Sequence, residues 1–360
     1  MNQQRIDQLI KSMEQEQLPQ LLLCDPHTIA YLTDDFIDPG ERFLGLLLRR
    51  GQPPILFLNR LFTAAHIPAD QTIYYDDTQR GAVLAASFTD SSAILGVDKN
   101  LRAEFLLELQ EHNAASGYRN GSPAADRVRA CKDEKEAERM RLASRLNDQA
   151  MELLKGEVRL GVSETELAQR LLEIYHEIGA DGPSFPPIVS FGSNAADPHH
   201  EPDQTQLKPG DCVLFDIGCK KDGYCADMTR TYFFGEVQEE DRAIYELVRQ
   251  ANLAGEAAVA PGVRFCDIDH AARQVIELGG YGPNFTHRLG HSIGREVHEW
   301  GDVSSVNTES VRSGMVFSCE PGIYLPGKTG VRIEDLCLVT PDGVEILNHV
   351  SKELEILPLK

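Results

Sequence analysis

Four carboxylates stand where a folded chain can least tolerate them. Asp216 ends the apolar run CVLFDIG, Asp227 lies between Ala226 and Met228 in YCADMTRTYFF, Glu320 interrupts MVFSCEPGIYL, and Glu334 interrupts GVRIEDLCLV. Each run has the β-branched and apolar character of a core strand, and an unpaired carboxylate buried in one is costly. A fold that accepts all four must bring them to a shared positive charge. His291, beside Gly290, adds a nitrogen donor, so residues 216 to 334 supply four carboxylates and one imidazole. Two divalent cations nearly balance that charge and leave room for an activated water, the donor set of a two-metal hydrolase. Oxygen-rich donors select hard ions, so manganese is expected, with cobalt, zinc or iron able to substitute.

Spacing supplies local geometry. A turn at KKDG joins the run ending in Asp216 to the run holding Asp227, which predicts a hairpin with both side chains on one face. Arg332, two residues before Glu334, shares its strand face and is expected as a salt-bridge partner, as support behind the ligand, or as a substrate contact. One pattern competes. Gly290-His291-Ser292-Ile293-Gly294 matches the GxSxG nucleophile elbow, with Asp335 or Asp342 and then His349 in the right chain order. An elbow needs a strong strand before it and a helix after it. The flanks YGPNFTHRL and REVHEWGD supply neither, and HExxH is absent, which removes a helical zinc site.

The 360 residues exceed the roughly 250–300 at which one core stops growing, so two domains are expected. A mixed α/β domain covers 1–125, with an amphipathic helix over 3–17, strands at QLLLC, FLGLLLRR, PILFLN and AILGVD, and a helix at RAEFLLELQEH. A linker at 126–134 leads into a long charged helix, and the catalytic domain is expected over 135–360. Within it, Gly161-Val162 leading to Leu167 is echoed by Gly262-Val263 leading to Ile268, each between two helices. The echo suggests a pseudo-symmetric α/β domain with the site between its halves. The net charge of −21 argues against nucleic acid or an anionic membrane as partner. No apolar run reaches a membrane span, the opening MNQQRIDQLIKSMEQEQ has no signal-peptide character, and eight cysteines without a CxxC pair read as reduced thiols, so a cytoplasmic protein is expected.

The set DIGCKKDGYCADMTRT, GHSIGREVHE, CEPGIY and VRIED resembles the methionine-aminopeptidase superfamily with the pita-bread fold, and within it the prolidase and aminopeptidase P branch, closest to short bacterial prolidases. The resemblance spans nearly the whole chain. It implies a creatinase-like N-terminal domain, a pita-bread α/β catalytic domain, a homodimer, and a dinuclear site at Asp216, Asp227, His291, Glu320 and Glu334. By the same resemblance His199 in AADPHHEP, rather than His200, hydrogen-bonds near the scissile group, His298 contacts the substrate carbonyl and His287 lines the pocket.

The implied reaction is attack by a hydroxide bridging two metals on the carbonyl before proline, with Glu320 passing the proton to the leaving nitrogen. Phe185 and Tyr224 are candidate walls for the proline ring. The implied substrates are proline-containing dipeptides or short peptides. A dipeptidase must read the terminal carboxylate, which suits an arginine. Arg295, three positions before His298, is the first candidate, followed by Arg332 and by Arg42 in the charged loop IDPGERFL. An aminopeptidase P acting on longer peptides is the alternative. A non-catalytic peptide-binding relative is more remote, since all five ligand positions are filled.

Overall fold

The computed structural model describes residues 1–359, in two compact units, Met1–Arg129 and Ala130–Lys360. In the first unit a six-stranded sheet runs in the order Thr72–Tyr75, Ile55–Asn59, Gly45–Arg49, Gln20–Leu23, Ile94–Val97, Gly117–Asn120. Strand alternation sends Leu21 and Leu23 to one face, where they pack with Ile6, Leu9 and Met13, and Leu22 to the other, with Phe57, Ala82 and Leu109. Helices therefore cover both faces. The apolar strands fall where the sequence places them, and the structure adds the edge strands Thr72–Tyr75 and Gly117–Asn120, which that reading does not name. The short helices Pro26–Thr33, Gly81–Ala86 and Ser122–Ala130 are likewise additions to that reading. No helix among the described residues is long and apolar enough to cross a membrane.

The second unit opens with the helix Glu134–Gly156, started by a reciprocal capping box between Asp133 and Glu136. That helix and Glu164–Glu177 pack on a sheet ordered Ile356–Leu357, Met228–Phe234, Cys212–Ile217, Ile188–Phe191. Helices Glu239–Ala257 and Phe265–Leu278 pack on a second sheet ordered Glu299–Val303, Gly290–Ser292, Val316–Cys319, Asp335–Thr340, Gly343–Ile346. The two halves repeat in detail. Gly161 and Gly262 both have left-handed φ, +75° and +89°, and donate to Leu207 and Val311, whose amides return to Val162 and Val263.

The predicted hairpin is more broken than its sequence suggests. Cys212–Ile217 pairs antiparallel with Met228–Phe234, setting Thr229 opposite Asp216. The run YCADMTRTYFF is two strands, Tyr224–Cys225 and Met228–Phe234, and Asp227 occupies the break. The first of these belongs to a separate small sheet with Cys219–Lys221 and Gly182–Pro183. Gly218 marks the crossing, since a Cβ there would fall 2.2 Å from Ser184 Oγ and 2.3 Å from the Ala226 carbonyl. Glu320 and Glu334 also sit just outside regular strands, following Val316–Cys319 and preceding Asp335–Thr340. Carboxylates at strand ends are free to turn toward a common centre.

Candidate metal centre

All five residues line one cavity of about 670 Å³. The ligand atoms of Asp227, His291 and Glu334 lie within 4.8 Å of one another. His291 Nε2 stands 3.6 Å from Asp227 Oδ2 and 3.5 Å from Glu320 Oε1, too long for hydrogen bonds but close to the roughly 3–3.5 Å between donors that share a cation. Around them the side chains are fixed by neighbours. Thr229 Oγ1 donates to Glu334 Oε2 at 2.6 Å. Ser318 Oγ donates to Glu320 Oε1 at 3.0 Å while accepting the His291 amide at 3.0 Å.

Electrostatics show what the set lacks. Burial, then Glu334 and Asp216, push the Asp227 carboxyl well above its ordinary range, and burial, then Glu320 and Asp216, do the same to Glu334. Burial also raises Glu320 to about 7, against the pull of Arg332. His291 is driven down to about 3, first by burial, so its imidazole is neutral and able to coordinate. Arg332 is the buried cation here, and it is already engaged. Its Nη2 bonds Asp216 Oδ2 at 2.7 Å, its Nη1 bonds the Tyr324 hydroxyl at 2.9 Å, and its Nε bonds Thr229 Oγ1 at 3.1 Å. Of its three expected roles the geometry favours support of Asp216. The other Asp216 oxygen, Oδ1, is buried without a hydrogen-bond partner. An orphaned carboxylate oxygen, mutually repelling acids and a neutral imidazole fit divalent cations.

The histidines divide by partner. His200 Nε2 is bound to Glu164 Oε2 at 2.7 Å, and His199 lines the cavity beside it. Glu164, His200 and Asp203 also form a group of metal-ligand type. Glu164, however, already accepts from the Phe191 and Asp203 amides and from Asn194 Nδ2, so its oxygens are spent on holding the loop. His287 Nε2 meets the Tyr324 hydroxyl at 2.8 Å, and burial lowers its pKa to about 4. His298 stands edge-on to His291, with 4.2 Å between ring centroids.

Phe185 lines the cavity with Pro186, Pro187 and Val297. Two other expected substrate contacts are not at its wall. Tyr224 is fully buried, with its hydroxyl donating to Glu136 Oε1 at 2.7 Å, and Arg295 lies over the Tyr224 ring at 5.3 Å. The short strand Tyr224–Cys225 turns that ring into a core with Met140 and Ile293, away from the cavity. Arg42, in the first unit, is held by both oxygens of Asp77 at 2.8 and 2.9 Å. Beside Arg332 the cavity wall holds a second arginine, Arg288, an exposed side chain between His287 and Leu289 whose charge is felt by His291, His298 and Glu320. Sequence reasoning missed it, along with Thr229, Ser318 and Tyr324. Thr229 alone left a signal, two residues after Asp227 in a run that reads as one strand. Ser292 is buried in the strand Gly290–Ser292 and is followed by a loop and another strand, which is not the strand-to-helix turn of an elbow.

Comparison with known proteins agrees with this geometry. Residues 138–341 match the model of metallopeptidase family M24, and residues 5–131 that of the creatinase/prolidase N-terminal domain. An uncharacterised peptidase of Staphylococcus aureus is 34% identical, covering 97% of this chain and 99% of its own. Among solved structures, a dipeptidase from Pyrococcus horikoshii superposes with a TM-score of 0.93 at 31% identity, covering 98% of this chain and 100% of the other. A Xaa-Pro dipeptidase from Bacillus anthracis gives 0.90 at 27% identity, covering 99% of each. The chain therefore belongs to metallopeptidase family M24, with a creatinase/prolidase N-terminal domain ahead of its catalytic domain.

Proposed function

We propose that the protein hydrolyses the bond preceding proline in Xaa-Pro dipeptides. Asp216, Asp227, His291, Glu320 and Glu334 would hold two divalent cations, with manganese the first choice for so oxygen-rich a set. Bound there, the cations supply Lewis acidity and a water that ionises near neutral pH. The chain's own groups do the rest. The leaving prolyl nitrogen needs a proton, and Glu320, on the wall of the same cavity, would carry one. His298 and His199 line the same cavity, where His298 would meet the substrate carbonyl, worth about 3 kcal/mol for a well-aimed donor, and His199 would hydrogen-bond near the scissile group. Phe185, Pro186 and Pro187 give a stiff apolar wall against which a proline ring packs without losing rotamer freedom.

The observation that favours a dipeptidase is Arg288. It lines the cavity with no ion-pair partner among the described residues, whereas Arg332, in the same cavity, is taken by Asp216, Arg42 is held by Asp77, and Arg295 lies over the Tyr224 ring. A free guanidinium at the mouth suits a carboxylate one residue beyond the scissile bond. The test is turnover of Leu-Pro, a Leu-Pro-Xaa tripeptide and Leu-Leu, each with manganese and with chelator. The expected result is metal-dependent cleavage of Leu-Pro with far weaker action on the other two. Preference for the tripeptide would make the protein an aminopeptidase P, and chelator-resistant cleavage would defeat the reading.

A further inference from the structure

The loop that presents His298 is built around a buried charge. Strands Gly290–Ser292 and Glu299–Val303 pair with Ser292 opposite Glu299, and the register shifts between His291 and Ser292. Residues 293–298 connect the two strands. Glu299 folds its carboxylate back into this loop, where Oε1 accepts the Arg295 amide at 2.9 Å and the Glu296 amide at 3.4 Å. Its Oε2 meets Lys132 Nζ at 2.9 Å, with the two side chains only 5% and 1% exposed. The loop wraps the carboxylate closely, since a Cβ on Gly294 would fall 2.7 Å from Oε2.

We propose that Lys132 and Glu299 are positioning residues that fix His298 against the cavity. A buried ion pair contributes little net stability compared with apolar side chains of the same size, so its effect is sought in geometry. That geometry is specific. The carboxylate ties the loop's amides, the ammonium removes its charge, and the residue immediately before Glu299 is the imidazole that stands edge-on to His291. Lys132 is itself anchored, its amide donating to the Gly314 carbonyl at 2.7 Å. Removing either charge frees the loop to turn while leaving the five carboxylate and imidazole donors in place.

The proposal rests on His298 taking part in turnover, and a mutant cycle separates the two claims. Glu299→Gln is expected to lower kcat about tenfold with KM changed little, and to cost nothing further in a His298→Ala background. Losses that multiply in that background would overturn the proposal, because a merely structural role weakens both proteins alike. Where Glu299→Gln folds poorly, Lys132→Met/Glu299→Gln removes both charges and serves in its place. A second readout needs no turnover. The His298 imidazole resonance, assigned by its loss in His298→Ala, is expected to shift and broaden in the Glu299→Gln protein, and an unchanged resonance would refute the positioning role. If His298→Ala leaves kcat intact, the reading of His298 in turnover falls while the resonance still decides its placement.

Discussion

Arg288 and Arg295 differ in sequence by little and in the structure by everything that matters for a dipeptide. Arg295 spends its guanidinium on the Tyr224 ring, and Arg288 borders the cavity. Losing a charge-assisted contact to the terminal carboxylate costs about 1.5–3 kcal/mol, so Arg288→Leu is expected to lower kcat/KM for Leu-Pro by roughly ten- to a hundred-fold. Arg295→Leu should affect Leu-Pro and the Leu-Pro amide equally. Equal losses with the amide for Arg288→Leu would move the carboxylate contact elsewhere. At Asp227 and Glu334 the expected result is reduced bound metal and near loss of turnover on replacement by Ala, whereas Ser292→Ala stays active. Unchanged metal stoichiometry in both carboxylate variants, measured by elemental analysis, would refute their role as ligands. These acids were legible because the cost of burying a charge in an apolar run is local. Arg288 was not, because an arginine in THRLGH looks like any solvated side chain, and the orientation of Tyr224 depends on a two-residue strand in a separate sheet.

The two strands that bring Asp227 and Glu334 together are stitched by a second buried ionic system behind them. Arg230, 1% exposed, donates to the carbonyls of Thr229 and Glu334 at 2.9 and 2.7 Å and to Asp335 Oδ1 at 2.6 Å. Lys352 reaches the other Asp335 oxygen at 3.0 Å and Glu256 at 2.7 Å. Deleting one partner strands a buried charge, so Arg230→Met or Asp335→Leu is expected to destabilise the protein by about 3–5 kcal/mol. The double variant should recover much of that loss. Denaturant unfolding of the metal-free proteins measures both, and a single-variant cost under about 1 kcal/mol would show that the network is dispensable. None of this network was read from sequence, because Arg230 alternates with Thr229 and Thr231 as a surface residue would. The apolar strands and long helices were read correctly because their periodicity is strong. The break at Asp227 escaped because a strand interrupted by two residues keeps the composition of a continuous one.

For the whole molecule the repeat was legible in two Gly-Val steps whose left-handed glycines recur 101 residues apart, whereas the half-exposed edge strands of the first sheet were not read. What the assembled second unit creates, and no single segment contains, is an excess of buried negative charge around one cavity, and that excess sets how stability should follow pH. Asp227 and Glu334 are raised well above their ordinary values, and Glu320 to about 7, all chiefly by burial. An acid raised on folding contributes stability that is full below its unfolded pKa and lost as pH climbs through the folded one. The buried histidines act oppositely. His291 and His287 are lowered to about 3 and about 4, so their contribution is complete once pH exceeds the unfolded value of about 6.5. Above that point the raised carboxylates still titrate, and the metal-free protein should lose Tm steadily as pH rises toward 8.5. Bound divalent cations compete with those protons and replace their compensation, so at fixed manganese the loaded protein should hold its Tm. The gap between thermal unfolding curves with manganese and with chelator is therefore expected to widen from about pH 6.5 to about pH 8.5. A gap that stays constant or narrows would mean that these carboxylates do not bind the metal.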